Sequence, residues 1–154
     1  YSAKLAWGAL VLGGLLILRS GLFLGVGLAQ GFQGAIPWGR FGLFTLISWL
    51  VSMMIYALQQ GLSLRFANQA AAIVCGIAGS FLGILSMLFP PALVRCVPWG
   101  YYGLMSLVFM DWNEVTRVTR FYWRWPPVSD VALLFLWMAL FLIVGRLLFV
   151  RKEV

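Results

Sequence analysis

The chain has 154 residues, of which 63% are hydrophobic and only 10% charged, against about 25% charged in soluble domains. A soluble protein of this length cannot hide so much apolar surface, which excludes a water-soluble globular domain. The net charge of +7 arises from eleven Lys and Arg against four Asp and Glu. These cations fall at the ends of apolar stretches and in loops, where they meet lipid headgroups, so they point to membrane contact and not to nucleic acid.

Four apolar stretches, 5–29, 41–62, 67–89 and 131–150, fill most of the chain. Each holds about 20 residues or more, enough at about 1.5 Å rise per residue to cross a hydrocarbon core of roughly 30 Å. They are apolar all round, without the polar face of a soluble helix. They are also too many, and too far from the start, to be a signal peptide. The expectation is an all-α, multi-pass transmembrane bundle, with residues 1–154 forming one transmembrane domain.

The first stretch follows Tyr-Ser-Ala-Lys4 almost at once, which suggests a piece of a longer polypeptide. Gly21 and Gly25 form a GxxxG pair suited to close helix packing. Arg19 lies well inside this stretch, where a cation costs about 3 kcal/mol or more without a partner or water. No carboxylate lies within any stretch. Its partner would be a backbone carbonyl, a polar side chain such as Ser48 or Ser52, a part outside this sequence, or a lipid phosphate reached by snorkelling. Snorkelling is the plainer reading; a conduit lined by Arg19, Ser48 and Ser52 is the functional one.

The link 30–40, with Gly31, Gly34, Pro37 and Gly39, reads as a loop, and Trp38 as an interfacial anchor. After the second stretch, Gln59, Gln60, Gly61, Ser63, Arg65 and Asn68 make a polar break. In the third, Ala67, Ala71, Cys75, Gly79 and Gly83 recur every four residues, beside a second row of Ala72, Gly76 and Ser80. Positions four apart share a helix face, so this is a ridge of small side chains for helix packing. A sliding or conduit-lining face is the functional alternative.

Pro90-Pro91 ends the third stretch, and residues 92–130 form the longest non-spanning region. Its first part is apolar but broken by Pro98-Trp99-Gly100 and Gly103, which predicts a re-entrant or interfacial helical hairpin buried partly in protein. Its second part gathers Asp111, Trp112, Glu114, Arg117, Arg120, Tyr122, Trp123, Arg124 and Trp125. Glu114 and Arg117, at i,i+3, predict a short surface helix, broken by Pro126-Pro127. Trp123 and Trp125 either stack on a peptide's apolar side chains or belong to an aromatic belt, the plainer reading. Arg117, Arg120 and Arg124 oppose a cationic ligand. Ser129 or Asp130 is expected to cap the last helix, which Arg146, Arg151 and Lys152 close.

Four crossings put both termini on one side, with Lys4, Arg65, Arg146, Arg151 and Lys152. The other side holds Arg40, Arg95, Arg117, Arg120 and Arg124. The counts are equal, and the C-terminal cluster favours cytoplasmic termini. Cys75 lies in a span and Cys96 in a loop, so no disulfide is expected. Without histidine, and without clustered cysteines, neither a zinc site nor the commonest general base is available. Asp111, Glu114 and Asp130 are near in sequence only, so no catalytic residue and no metal site is assigned. A proton- or sodium-coupled transporter would want an intramembrane relay, and an arginine does not release its proton.

The run from Arg65 to Gly83, with Asn68-Gln69 leading into a Gly-Ser-x-x-Gly centre, resembles a segment of bacterial export-type ABC transporter permeases. Val97-Pro98-Trp99-Gly100-Tyr101-Tyr102 is similar to the Pro-Trp-x-Tyr element of the lantibiotic-immunity permeases, and Ser2-Ala3-Lys4 to the lead-in of their third span. The four stretches would match the last four of six spans. The resemblance implies a bacterial plasma-membrane permease subunit, paired with a second permease. An ABC ATPase dimer would carry ATP and Mg, and the substrate would be a cationic peptide drawn from the membrane lipid; Trp99, Trp123 and Trp125 join Arg19, Ser48 and Ser52 as candidate contacts. No Gly-x-x-x-x-Gly-Lys-Ser/Thr phosphate loop occurs in this sequence, so no cofactor is expected in this chain. The alternative is a non-transporting membrane protein: a sensor, anchor or assembly factor.

Overall fold

The computed structural model describes residues 1–114 and 116–153; the side chains of Lys152 and Glu153 lie outside the described residues. Among the described residues are four helices long and apolar enough to cross a membrane. They are α1 (Ser2–Ala29), α2 (Trp38–Arg65), α3 (Gln69–Leu85, continued by a 3₁₀ turn at Ser86–Leu88) and α6 (Val128–Glu153). Two single-turn helices, α4 (Pro91–Val94) and α5 (Tyr101–Leu104), and strands β1 (Val108–Asn113) and β2 (Val118–Trp123) fill the interval before α6. The fold is an all-α, membrane-embedded bundle carrying one small sheet.

The helices begin and end near the limits of the apolar stretches, extended by polar or aromatic residues at their ends. Asn68 caps α3, its Oδ1 accepting from the Ala70 N–H at 2.9 Å, which satisfies one of the free donors of the first turn. Trp38 starts α2 and stays largely exposed. At the other end of the chain, α6 begins at Val128, so Ser129 and Asp130 lie in its first turn and neither is the cap expected of them.

Helix α2 is the centre: it packs against α1, α3, α5 and α6. The core lies mainly between α2, α5 and α6, where Val51, Met54, Tyr101, Met105 and Leu134 are buried. Most other large apolar side chains, including Leu10, Ile17, Phe23, Ile77, Phe81 and Leu136, are exposed, the outside expected of a protein solvated by lipid.

Apolar burial is a weak adhesive in hydrocarbon, so α1 is attached to α2 by polar contacts. Tyr56 donates its phenolic O–H to the Lys4 carbonyl at 3.1 Å, Trp49 its Nε1–H to the Ala9 carbonyl at 3.0 Å, and Ser20 and Thr45 share a hydrogen bond at 3.1 Å. Gly8 makes room for the Tyr56 ring.

The ridge on α3 finds partners other than a helix backbone. The indole of Trp99 lies on Gly79, and its Cβ and carbonyl lie on Gly83, where a Cβ would come 2.8 Å from Trp99 Cβ and 3.0 Å from its carbonyl oxygen. The amide of Gln59 lies across the second row, where a Cβ at Gly76 would come 2.5 Å from the end of that side chain. Ala71 and Cys75 are half-buried farther along, and Cys75 and Cys96 are free thiols. Gly21 and Gly25 meet nothing within 4 Å, so this GxxxG pair has no partner among the described residues.

The interval 92–130 contains the main departure from the sequence reading. The surface helix expected around Glu114 and Arg117 is instead an antiparallel hairpin, with Asp111 opposite Arg120 and Asn113 opposite Val118. The run from Val118 to Trp123 is β-branched and aromatic, a strand composition that outweighs one i,i+3 charge pair. Arg117 takes a positive φ of 52° in the turn, a conformation that costs a non-glycine residue about 1 kcal/mol.

Two glycine substitutions separate packing contacts from open surface. Gly79→Ala drives a methyl into a rigid indole and is expected to lower stability by about 1–3 kcal/mol. Gly21→Ala on the bare face of α1 is expected to change it by less than about 0.5 kcal/mol. Thermal melts of both variants in one detergent check the difference.

Candidate functional site

The short helices α4 and α5 and the turn Pro98–Gly100 fold back between the ends of the long helices. Tyr102 reaches Ser52, whose Oγ lies 2.8 Å from the Tyr102 hydroxyl and donates to the Ser48 carbonyl at 2.7 Å. Ser52 is 14 residues into α2, about 21 Å along its axis at 1.5 Å per residue. The wedge therefore reaches roughly the middle of α2, with Val94, Gly100, Tyr101 and Met105 buried and Leu93, Cys96 and Tyr102 exposed.

Arg95, directly after α4, ties this wedge to α6. Its Nε donates to Asp130 Oδ1 at 2.6 Å, the one salt bridge among the described residues. Its backbone carbonyl accepts both the Tyr101 O–H and the Trp137 Nε1–H, each at 3.2 Å. The Asp130 side chain is 4% exposed and that of Arg95 37%. Asp130 also stands in the first turn of α6, where the helix dipole favours a negative charge. Tyr101 is buried against the same group. Burial raises its phenol above the ordinary value of 10, Asp130 adds to that, and the Trp137 bond and the Arg95 charge act against it.

Around this pair opens a cleft of about 540 Å³, in the size range of small-ligand sites. Its walls are the end of α3 (Ser86, Met87, Phe89), Leu104, the start of β1 (Phe109, Met110), and the approach to α6 (Arg124, Trp125, Pro127, Asp130), with Arg95 at its edge. The hairpin roofs it, and the Arg124 guanidinium sits 5.5 Å from the centre of the Phe109 ring.

The residues singled out from the sequence fall into separate places. Ser48 and Ser52 are buried in α2; Ser52 bonds the Tyr102 hydroxyl and the Ser48 carbonyl, and neither serine bonds Arg19 among the described residues. Trp99 is taken up in packing on α3. Trp123 lies under the Arg40 guanidinium, 4.8 Å from its ring centre, and Trp125, 72% exposed, lines the cleft. Arg19 lies between α1 and α2, 5.9 Å from the Phe23 ring centre and 5.5 Å from that of Phe44. Its Nε and Nη2 are buried and have no hydrogen-bond partner among the described residues. The three carboxylates are not brought together: Asp111 is on β1, Glu114 at the turn, and Asp130 is paired with Arg95. No group of three potential metal ligands occurs among the described residues.

The Arg95–Asp130 pair was missed from sequence. Asp130 stands just before the apolar stretch 131–150, in the first turn of α6, and nothing local in the sequence points to a partner 35 residues away. No protein-family model, curated protein or solved structure matches the chain.

Removing one partner leaves the other partly buried and unpaired. A fully buried pair loses about 3–5 kcal/mol on such a change, so with Arg95 partly exposed Asp130→Asn is expected to cost about 2 kcal/mol. The double variant Arg95→Gln/Asp130→Asn should recover part of that loss, read as thermal midpoints in detergent.

The raised Tyr101 pKa also sets an alkaline limit. A raised folded-state pKa means that the stability from the neutral phenol is complete below pH 10 and lost as pH rises through the folded value. Melting temperature is expected to fall as pH rises above about 10, and Tyr101→Phe to flatten that slope.

Proposed function

We propose that the chain is a permease subunit of an ATP-driven bacterial exporter in the cytoplasmic membrane, protecting the cell from membrane-active peptides of the lantibiotic kind. One observation supports reading it as part of a larger assembly. Helix α1 packs mainly on α2, Gly14, Gly21 and Gly25 on its surface have open space around them, and two buried guanidinium nitrogens of Arg19 have no partner among the described residues. Bare glycines admit another helix closely, and an intramembrane arginine calls for a polar partner on it. A second permease subunit, or further spans of the same polypeptide, would supply both.

The transport reading adds the resemblance of the α3 run and of the Pro98-Trp99 element to export-type permeases. In this arrangement the ATPase dimer binds the side that holds Tyr1 and the α2–α3 turn. The hairpin lies on the opposite, outer side. With Arg117, Arg120 and Arg124 against Asp111 and Glu114, the hairpin is net cationic. A cationic peptide is therefore engaged through its apolar face, at Trp125 and Met110.

The test is extraction of the full-length protein in mild detergent from its native membrane. A co-purifying stoichiometric ATPase, whose turnover depends on this subunit, is the expected result. Arg19→Leu should leave the isolated chain as stable as before or more so by about 1 kcal/mol, since it removes an unpaired buried charge, and should reduce the partner recovered. Recovery of the chain alone, with no response to nucleotide, overturns the exporter and leaves a sensor, anchor or assembly factor.

A further inference from the structure

We propose that the cleft beneath the hairpin binds the phosphate headgroup of an anionic membrane lipid, held by Arg95 and Arg124. The inference stands without the exporter reading. It begins from position: the cleft opens where α3 ends and α6 begins, which is the level of lipid headgroups for helices that cross the bilayer.

The charges are arranged for an anion. Asp130 takes only the Nε of Arg95, and the two terminal nitrogens make no hydrogen bond among the described residues. Asp130 thus fixes the guanidinium from behind and leaves its fork for a ligand, and a planar fork matches two phosphate oxygens. Arg124 is held by its backbone N–H on the Leu107 carbonyl at 3.0 Å and by its guanidinium over Phe109. Two cations against one carboxylate leave the lining net positive. That carboxylate is buried and already engaged, so a cationic group would find no partner there.

The rest of the lining excludes a small hydrated anion as the fitting ligand. Met87, Phe89, Leu104, Phe109, Met110 and Trp125 form apolar walls. Free phosphate would lose water at such walls and gain nothing from them, whereas a lipid lays its glycerol and first methylenes against them. The volume takes a headgroup but not a complete two-chain lipid. The tails leave past Met87 and Phe89, both exposed at the end of α3, into hydrocarbon.

The experiment is native mass spectrometry of the full chain in detergent micelles doped equally with phosphatidylglycerol and phosphatidylcholine of the same tails. The expected result is one retained phosphatidylglycerol, preferred by about tenfold, with that preference cut to about twofold in Arg124→Gln at unchanged melting temperature. Arg95→Gln/Asp130→Asn, which removes the second cation without stranding its partner, should cut it likewise, while Arg40→Gln, outside the cleft, should keep it. Equal retention of the two lipids, full preference in Arg124→Gln, or loss of preference in Arg40→Gln overturns the site. Displacement of the lipid by millimolar inorganic phosphate also overturns it, in favour of a free-anion site.

Discussion

A helix in hydrocarbon gains little by hiding apolar surface from lipid, so this bundle is held where polar groups meet and where small side chains let large ones in. Helix α2 concentrates both. Its Thr45, Trp49 and Tyr56 bond to α1, Ser52 bonds to the wedge, and Gln59 lies on α3. Each bond is modest, on the order of 1 kcal/mol, but all lie on one helix and reach its neighbours on several sides. The exposed apolar exterior follows, because the interior has no need to collect it.

The wedge before α6 obeys the same constraint at closer quarters. Its short turns satisfy part of its backbone, as where the Arg95 N–H donates to the Pro91 carbonyl and the Gly100 N–H to the Val97 carbonyl. Side-chain donors add to this: Tyr101 and Trp137 both bond the Arg95 carbonyl, while the Tyr102 hydroxyl bonds Ser52 of α2. The Arg95–Asp130 pair then fixes the wedge to α6. The cleft is the space left between this fixed wedge and the hairpin, so its shape is inherited from polar pairing as much as from packing.

The four crossings and the break at residues 92–130 were legible from apolar run length and from prolines, because hydrocarbon thickness is a strict ruler. The hairpin was not, since the Glu114–Arg117 spacing suits a helix, and the β-branched and aromatic run after it becomes a strand by pairing with residues 108–113. The ridge on α3 was visible as a pattern, but small residues record only that something comes close; that the visitor is the Trp99 indole depends on how the chain folds back. Arg95 and Asp130 are separated by most of the wedge, and nothing local couples them. Arg19 was conspicuous in the sequence, and in the structure it sits against the Phe23 and Phe44 rings, with no bond to Ser48 or Ser52 among the described residues.

Tyr1 packs its ring 6.0 Å from Phe149, and Gly145 of α6 leaves the room its hydroxyl occupies. This contact joins the beginning of the first helix to the far end of the last one. During synthesis α1 and α2 can enter the membrane together as a polar-laced pair, but the Tyr1 ring has nowhere to dock until α6 has left the ribosome and inserted. The seam between α1 and α6 therefore forms only after α6 has inserted, and a chain stalled before Gly145 would leave the Tyr1 ring without its seat.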